Sequence, residues 1–395
     1  MMRAKPLASI CSAFHVLAMR RGLSWTAKPL QLLELLRPAW LSAGWAVVRS
    51  PIDVARPLHA QVVVTNRCAL ACTGCDVSTM VHRPSNRDMT RGDYRRVLQS
   101  LSPRIVTLLG DGEPLLHPEI VGSVADTSAQ GARPMLATNL AIGDAALFAE
   151  LVAAGLDHVK VTLSHSNRER YRQIKGRDLF DTVINRVDLL RRAEASLPIA
   201  LEFWVTRDKL GELCTHLELV RDLGLDSAVF LLEQPKGQLA GHGLDSAMMM
   251  QVAEAIGLAS RLGLRTNLAS LIGRAGKDST AVSSSGRAAC AFPWLRAYVN
   301  QEGRAGPCVD LVTKAANDSS VQLENLLADQ GSFVGQAFRN IRLAFRRGEA
   351  PHPTCVGCRK GSLGALCGCV GPYRGKRKRD PIHELATDTR TVDAA

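Results

Sequence analysis

From residue 60 onward the chain alternates strand-like and helix-like runs six times, and this alternation limits its fold more than any other feature. Apolar, β-favouring stretches fall at 61–65, 104–109, 133–138, 157–163, 198–206 and 227–232. Helix-period patterns lie near 90–101, 118–130, 144–154, 178–194, 208–223 and 245–262. Strand then helix, repeated, predicts βα units around a parallel sheet. Right-handed crossovers wind such units into a barrel, and six units rather than eight leave it open on one side. The expected fold class is α/β, a partial (β/α)6 TIM-type barrel over residues 59–270. A helical extension at 1–58 precedes it. A linker at 271–289, a small cysteine-rich α+β domain at 290–372 and a basic tail at 373–395 follow.

Composition narrows the class. The 395 residues are 46 % hydrophobic, enough to bury a substantial core. A net charge of +12 suits anionic partners, or simply a soluble basic surface. The run "RGKRKR" (374–379) reads as a solvated charge run in the tail before it reads as a phosphate-binding patch. No eighteen-residue window is uninterruptedly apolar, which argues against a spanning helix. "MMRAKPLASICSAFHVLAMRRGL" and "LQLLELLRPAWLSAGWAVV" read as amphipathic helices that pack on the main domain, with contact to a membrane surface as the alternative. A cytoplasmic location is expected. The eleven cysteines are odd in number and clustered, which argues against a disulfide framework and for metal binding in a reducing compartment.

The first cluster is "RCALACTGCD", with Cys68, Cys72 and Cys75 just past the first strand. In parallel βα architectures chemistry sits at that end of the strands. A structural zinc site takes four closed ligands. A cubane iron–sulfur cluster held by three thiolates keeps one iron open, able to chelate an amine and a carboxylate. Three further stretches sit at the next strand ends: "LGDGEPLL" (109–116), "ATNL" (137–140) and "VTLSHS" (161–166).

C-x3-C-x2-C after the first strand of a βα barrel resembles the signature of the radical S-adenosylmethionine (SAM) superfamily. The resemblance implies a catalytic [4Fe–4S] cluster on Cys68, Cys72 and Cys75, with SAM on the open iron. One electron then releases a 5'-deoxyadenosyl radical that abstracts hydrogen from the substrate. Gly112, Glu113 and Pro114 match the GGEP motif that receives the SAM amino group, while Asp111 replaces its first glycine. Thr138 and Asn139 match the Thr-Asn that ends strand three. Thr162 and Ser164 stand where the family has Ser-Leu-Asp, keeping a hydroxyl and losing the Asp. Gly74 stands where an aromatic residue precedes the last cysteine. "YRQIKGRDLFDTVINRVDLL" also resembles the family's helix-leading segment. The resemblance runs over 61 to about 235.

A second cysteine set begins at Cys290 and continues with Cys308, Cys355, Cys358, Cys367 and Cys369. "AYVNQEGRAGPC" reads as a hairpin, which puts its ends side by side and lets Cys290 and Cys308 meet. A helix near 333–347 would bring Cys355 and Cys358 back to close a four-thiolate site. C-x12-G-x4-C followed by C-x2-C resembles the twitch form of the SPASM extension, which implies one auxiliary [4Fe–4S] cluster. A four-cysteine zinc knuckle is the alternative. Cys367 and Cys369 do not fit the spacing of a second auxiliary cluster. Asp310, beside Cys308, is a candidate proton acceptor that more simply reads as an exposed loop residue. His165 and His242 read as polar loop residues, and Cys11 and Cys214 as buried free thiols.

The expected function is a radical SAM enzyme of oxidoreductase type. It would oxidise or rearrange a small metabolite or natural-product intermediate, fed by a donor such as flavodoxin or ferredoxin. Modification of a ribosomal peptide or of a lipid is the alternative within the superfamily. A zinc-stapled nucleic-acid-binding protein is the alternative outside it.

Overall fold

The computed structural model describes residues 54–73, 75, 87–232, 244–269, 271, 290–315, 321–328, 331–356 and 358. The chain divides into two units, 1–50 and 51–395, and all described residues belong to the second. Residues 1–53, nearly all of the linker and the basic tail lie outside the described residues, as do Cys11, Gly74, His242, Cys367 and Cys369.

The six expected strands form: β1 (His59–Thr65), β2 (Ile105–Gly110), β3 (Arg133–Thr138), β4 (His158–Ser164), β5 (Ile199–Val205) and β6 (Ser227–Leu232). Each pairs in parallel with the next. A short β7 (Arg265–Thr266), absent from the sequence expectation, adds to β6. Two residues are too few to show a period-2 pattern. At the other edge β8 (Arg296–Val299) runs parallel to β1. β9 (Arg304–Gly306) and β10 (Glu324–Asn325) follow antiparallel. The result is one open ten-stranded sheet in the order β10-β9-β8-β1-β2-β3-β4-β5-β6-β7. The expected hairpin therefore exists, and it extends the barrel sheet.

The helices are α1 (Arg91–Leu101), α2 (Ile120–Ala129), α3 (Ala145–Ala153), α4 (Arg168–Lys175), α5 (Phe180–Ala193), α6 (Leu213–Asp222) and α7 (Ser246–Arg261). The C-terminal segment adds α8 (Phe292–Leu295), α9 (Val309–Ala315) and α10 (Gln336–Arg347). Side-chain caps fix the starts of several: Thr90, Asp144, Asn167 and Asp245 each accept from a backbone N–H three residues on. The expected helix at 208–223 opens as a 3₁₀ turn at Arg207–Glu212 before α6 begins.

Strand alternation divides the sheet's faces. On β4, Val159, Val161 and Leu163 are fully buried in the core, while Lys160 and Thr162 point the other way. On β5, Phe203 stacks against His216 of α6 at 4.5 Å, and Glu202 lies on the opposite, inner face with Lys160 and Thr162. That inner face is polar. His59 Nε2 meets Thr107 Oγ1 at 2.8 Å, and Arg296 donates to Gln61. Burial, then Arg296 and Lys160, hold His59 down at about 3, so it is neutral.

Candidate active site

The loop after β1 is stapled at both ends. Asn66 N–H donates to Arg87 O at 3.2 Å, and Met89 N–H to Val64 O at 2.8 Å. Asp88 takes Thr65 Oγ1 at 2.6 Å and the Arg67 guanidinium at 2.8 Å. Further along, the loop leans on the end of α4. Thr73 N–H donates to Ile174 O at 2.8 Å, and Thr73 Oγ1 to Gln173 O at 3.1 Å. Gly176, the left-handed C-cap of α4, faces Ala71 O so closely that an added Cβ would sit 2.9 Å from it.

These ties gather Cys68, Cys72 and Cys75, all half-buried. Burial pushes the Cys68 and Cys72 thiols up, the neighbouring cysteines push further, and Lys175 pulls both down. Leu70 N–H points at Cys68 Sγ at 3.5 Å.

The turn after β2 packs directly on this loop. Glu113 N–H donates to Arg67 O at 2.7 Å, and a Cβ on Gly112 would lie 1.9 Å from that same oxygen. Only glycine fits there. Glu113 is fully buried. Its carboxylate accepts from Thr138 Oγ1 at 2.6 Å, Asn139 N–H at 2.8 Å and Leu115 N–H at 3.0 Å. Burial raises its pKa against the pull of these donors. Asn139 Nδ2 in turn lies 3.9 Å from Cys68 Sγ. Gly112, Glu113, Pro114, Thr138 and Asn139 thus come together beside the three thiols, as two strand ends expected from sequence.

Thr162 is placed differently. Its hydroxyl donates to Glu202 Oε1 at 3.0 Å, and Glu202 also holds Lys160. Ser164 is buried at φ 72°, where the β4–β5 register shifts.

One site residue was not anticipated. Lys175, the last residue of α4, is 4 % exposed. Burial lowers its pKa, while Cys72, Glu202, Glu113 and Cys68 raise it. The available signal was its place four residues after Tyr171 on the buried face of α4, where a lysine is out of pattern.

The C-terminal cysteines also converge. Burial drives Cys290 strongly upward, and Cys308, Cys358 and Cys355 add to it. Cys308 is pushed up to about 11 and Cys355 to about 12, burial leading in both. Asp310, in the first turn of α9, raises Cys308 and Cys355 as well. Arg342 anchors α10 from a fully buried position, donating to Pro293 O at 2.8 Å and Phe333 O at 2.9 Å.

His165, Glu212 and His216 bring their ligand atoms within 4.8 Å. His165 Nδ1 accepts from Asn167 N–H at 2.9 Å, so its proton sits on Nε2 and donates to Glu212 Oε2 at 2.6 Å. A protonated nitrogen has no lone pair for a metal. His165 is a loop anchor, in keeping with its reading as a polar loop residue. Cys214 is half-buried on α6, less enclosed than expected. Among the described residues no helix is long and apolar enough to cross a membrane.

Comparison with known proteins accords with this arrangement. The family described as the Radical SAM superfamily matches residues 62–197. An AdoMet-dependent heme synthase of Methanosarcina barkeri is 24 % identical over 164 residues, 41 % of this chain and 46 % of that protein. A probable GTP 3',8-cyclase of Methanopyrus kandleri is 26 % identical over 185 residues, 46 % of this chain and 58 % of that one. The chain spans about half the length of these curated relatives. Among solved structures, Streptococcus suis SuiB bound to S-adenosylmethionine superposes with a TM-score of 0.56 at 12 % identity, covering 84 % of this chain and 78 % of that one. A polyhistidine-tagged anSMEcpe with bound AdoMet gives 0.52 at 15 % identity, over 78 % and 88 %. At such identities the likeness is one of fold. Residues 62–197 form a radical SAM domain, and the chain is an enzyme built around it, with a [4Fe–4S] cluster and S-adenosylmethionine as the cofactors of that domain.

Proposed function

We propose that this enzyme abstracts hydrogen from a carbon of a small metabolite or natural-product intermediate and oxidises or rearranges it. The observation that carries the reading is the buried Glu113 carboxylate, held by Thr138 and Asn139 beside Cys68. A desolvated carboxylate next to three thiols suits an incoming ammonium. The donor set of Cys68, Cys72 and Cys75 fits three irons of a cubane, with none of the three drawn away into a disulfide. When bound, the cluster and SAM supply an electron and a 5'-deoxyadenosyl radical.

In this reading Glu113 receives the SAM amino group, with Gly112 and Pro114 shaping the turn. Lys175 faces the carboxylate of SAM, which explains a buried cation amid thiols and acids. Asn139 orients against Cys68, and Thr162 and Ser164 line the ribose side, Thr162 through Glu202. The polar inner face, with His59, Gln61, Thr107, Lys160 and Glu202, supports a small hydroxylated or charged substrate. A flavodoxin or ferredoxin is the expected electron donor.

Cys290, Cys308, Cys355 and Cys358 would hold an auxiliary [4Fe–4S] cluster in a SPASM/twitch-like segment spanning 290–372. Cys290, Cys308 and Cys355 are driven up by burial and lie close to one another and to Cys358, which suits a cation that makes thiols thiolates. Zinc meets the same requirement.

The test is iron per chain after anaerobic reconstitution, in wild type and in a variant with Cys68, Cys72 and Cys75 all changed to Ala. The expected result is roughly eight irons in wild type and roughly four in the variant, with SAM cleavage only in wild type. Roughly four irons plus one zinc in wild type would assign zinc to the C-terminal site. A colourless zinc protein that leaves SAM intact would overturn the reading.

A further inference from the structure

The phenol of Tyr298 donates to Asp111 Oδ1 at 3.0 Å, joining residues 187 positions apart. Tyr298 lies on β8, level with Gln61 of β1, and is 4 % exposed. Its strand and the return strand β9 lie between Cys290 and Cys308. Asp111 opens the turn in which Gly112 and Glu113 follow, and it stands where the GGEP motif has a glycine.

That turn is fixed from two sides. On one side the cluster loop takes it by backbone: Gly112 N–H to Thr65 O at 3.4 Å and Glu113 N–H to Arg67 O at 2.7 Å. On the other side stands Tyr298. A glycine at 111 could not make the second tie. Burial and the Asp111 charge keep the Tyr298 phenol protonated, so it remains a donor to the carboxylate. Hydrogen bonds to an ionised acceptor are the stronger kind.

We propose that Tyr298 is a positioning residue for S-adenosylmethionine: through Asp111 it fixes the turn that carries Gly112 and Glu113, so affinity for this cofactor depends on the C-terminal hairpin. This rests on the reading of the site given above. A turn released from Tyr298 spends part of its time in conformations that do not bind, and apparent affinity falls by that fraction.

The experiment is anaerobic equilibrium dialysis of labelled S-adenosylmethionine against the reconstituted full chain, in wild type, Tyr298→Phe, Asp111→Ala and the double variant. Tyr298→Phe is expected to bind about five- to tenfold more weakly, with iron content and melting temperature unchanged. In the Asp111→Ala background the same substitution changes nothing further, because the tie is already gone. Binding by Tyr298→Phe within about twofold of wild type, or an equal loss in both backgrounds, overturns the proposal. So does a Tyr298→Phe chain that loses iron or fails to fold, since Tyr298 would then support the fold and not the turn. A wild type that takes up iron but binds no S-adenosylmethionine overturns the parent reading, and this one with it.

Discussion

Glu113, on the turn after β2, accepts the hydroxyl of Thr138 at 2.6 Å from the end of β3, fully out of contact with solvent. Two backbone donors, from Leu115 and Asn139, complete the shell. Glu113→Gln would offer one acceptor oxygen and an NH2 group to three donors. A buried donor left unmade costs about 1–3 kcal/mol. We expect S-adenosylmethionine affinity to drop at least about tenfold, with iron retained, since about 1.4 kcal/mol corresponds to a factor of ten. Dialysis of labelled S-adenosylmethionine and iron analysis on the same sample check this. Unchanged affinity would remove Glu113 from the site.

Lys175 invites a different substitution. Its ammonium is buried at 4 % exposure near Glu113, Glu202, Cys68 and Cys72. Lys175→Met keeps most of the volume and removes the charge. If the lysine only balances its neighbours, melting temperature falls and S-adenosylmethionine binding does not. If it receives the carboxylate of S-adenosylmethionine, affinity falls about tenfold or more while the iron stays, the loss of a charge-assisted hydrogen bond. The second outcome is expected.

Much of this architecture was written in periodicity. Strand β3 at 133–138 and β6 at 227–232 fall where the apolar runs placed them, and the other four core strands shift by one or two residues at their ends. Strand-end motifs named Glu113, Thr138 and Asn139, and the structure brings the three together because strand ends in a parallel sheet converge. Lys175 was not legible: its burial beside the thiols depends on α4 turning its last residue under the loop after β1, which is a tertiary fact. The Tyr298–Asp111 contact was equally hidden. It needs β8 to pair with β1, and a four-residue strand after a linker carries no signal of its partner. The two-residue β7 is held by pairing with β6 rather than by its own propensity.

Gly112→Ala should be far more damaging than an ordinary glycine substitution. The new Cβ would fall 1.9 Å from Arg67 O and 2.8 Å from the Asn66 carbonyl carbon, both backbone atoms that cannot swing away. Either the turn or the cluster loop must move. Gly131→Ala is the control: its φ of +75° strains any side chain, but no atom lies within 4 Å. The control should cost about 1–2 kcal/mol, the left-handed penalty alone. Gly112→Ala should exceed it and also lower the iron retained after reconstitution. Chemical unfolding with parallel iron analysis separates the two, and equal costs would mean the turn is not packed on the loop.

Acid should destabilise this protein through its buried histidines before its lowered carboxylates titrate. His59 and His216 are held down to about 3 by burial, and His158 well below its usual value by the same cause. A depressed histidine is neutral in the fold and takes up a proton on unfolding. Its stabilisation is complete above the unfolded pKa of about 6.5 and is lost as pH falls toward the folded value. Between pH 7.5 and 5.5 each such histidine contributes a loss of about 1.4 kcal/mol. Asp126, Glu169 and Asp208 are lowered carboxylates and titrate below this window. Glu113 and Glu324 are raised and act in the opposite direction, equally in any histidine variant. His216→Phe isolates one contribution, because the ring stacks on Phe203 at 4.5 Å beside Phe230 and a phenyl can take its place. Urea unfolding at the two pH values should show the acid loss reduced by about 1.4 kcal/mol in His216→Phe. An unchanged pH dependence would mean that His216 takes up its proton in the fold as it does in the unfolded chain.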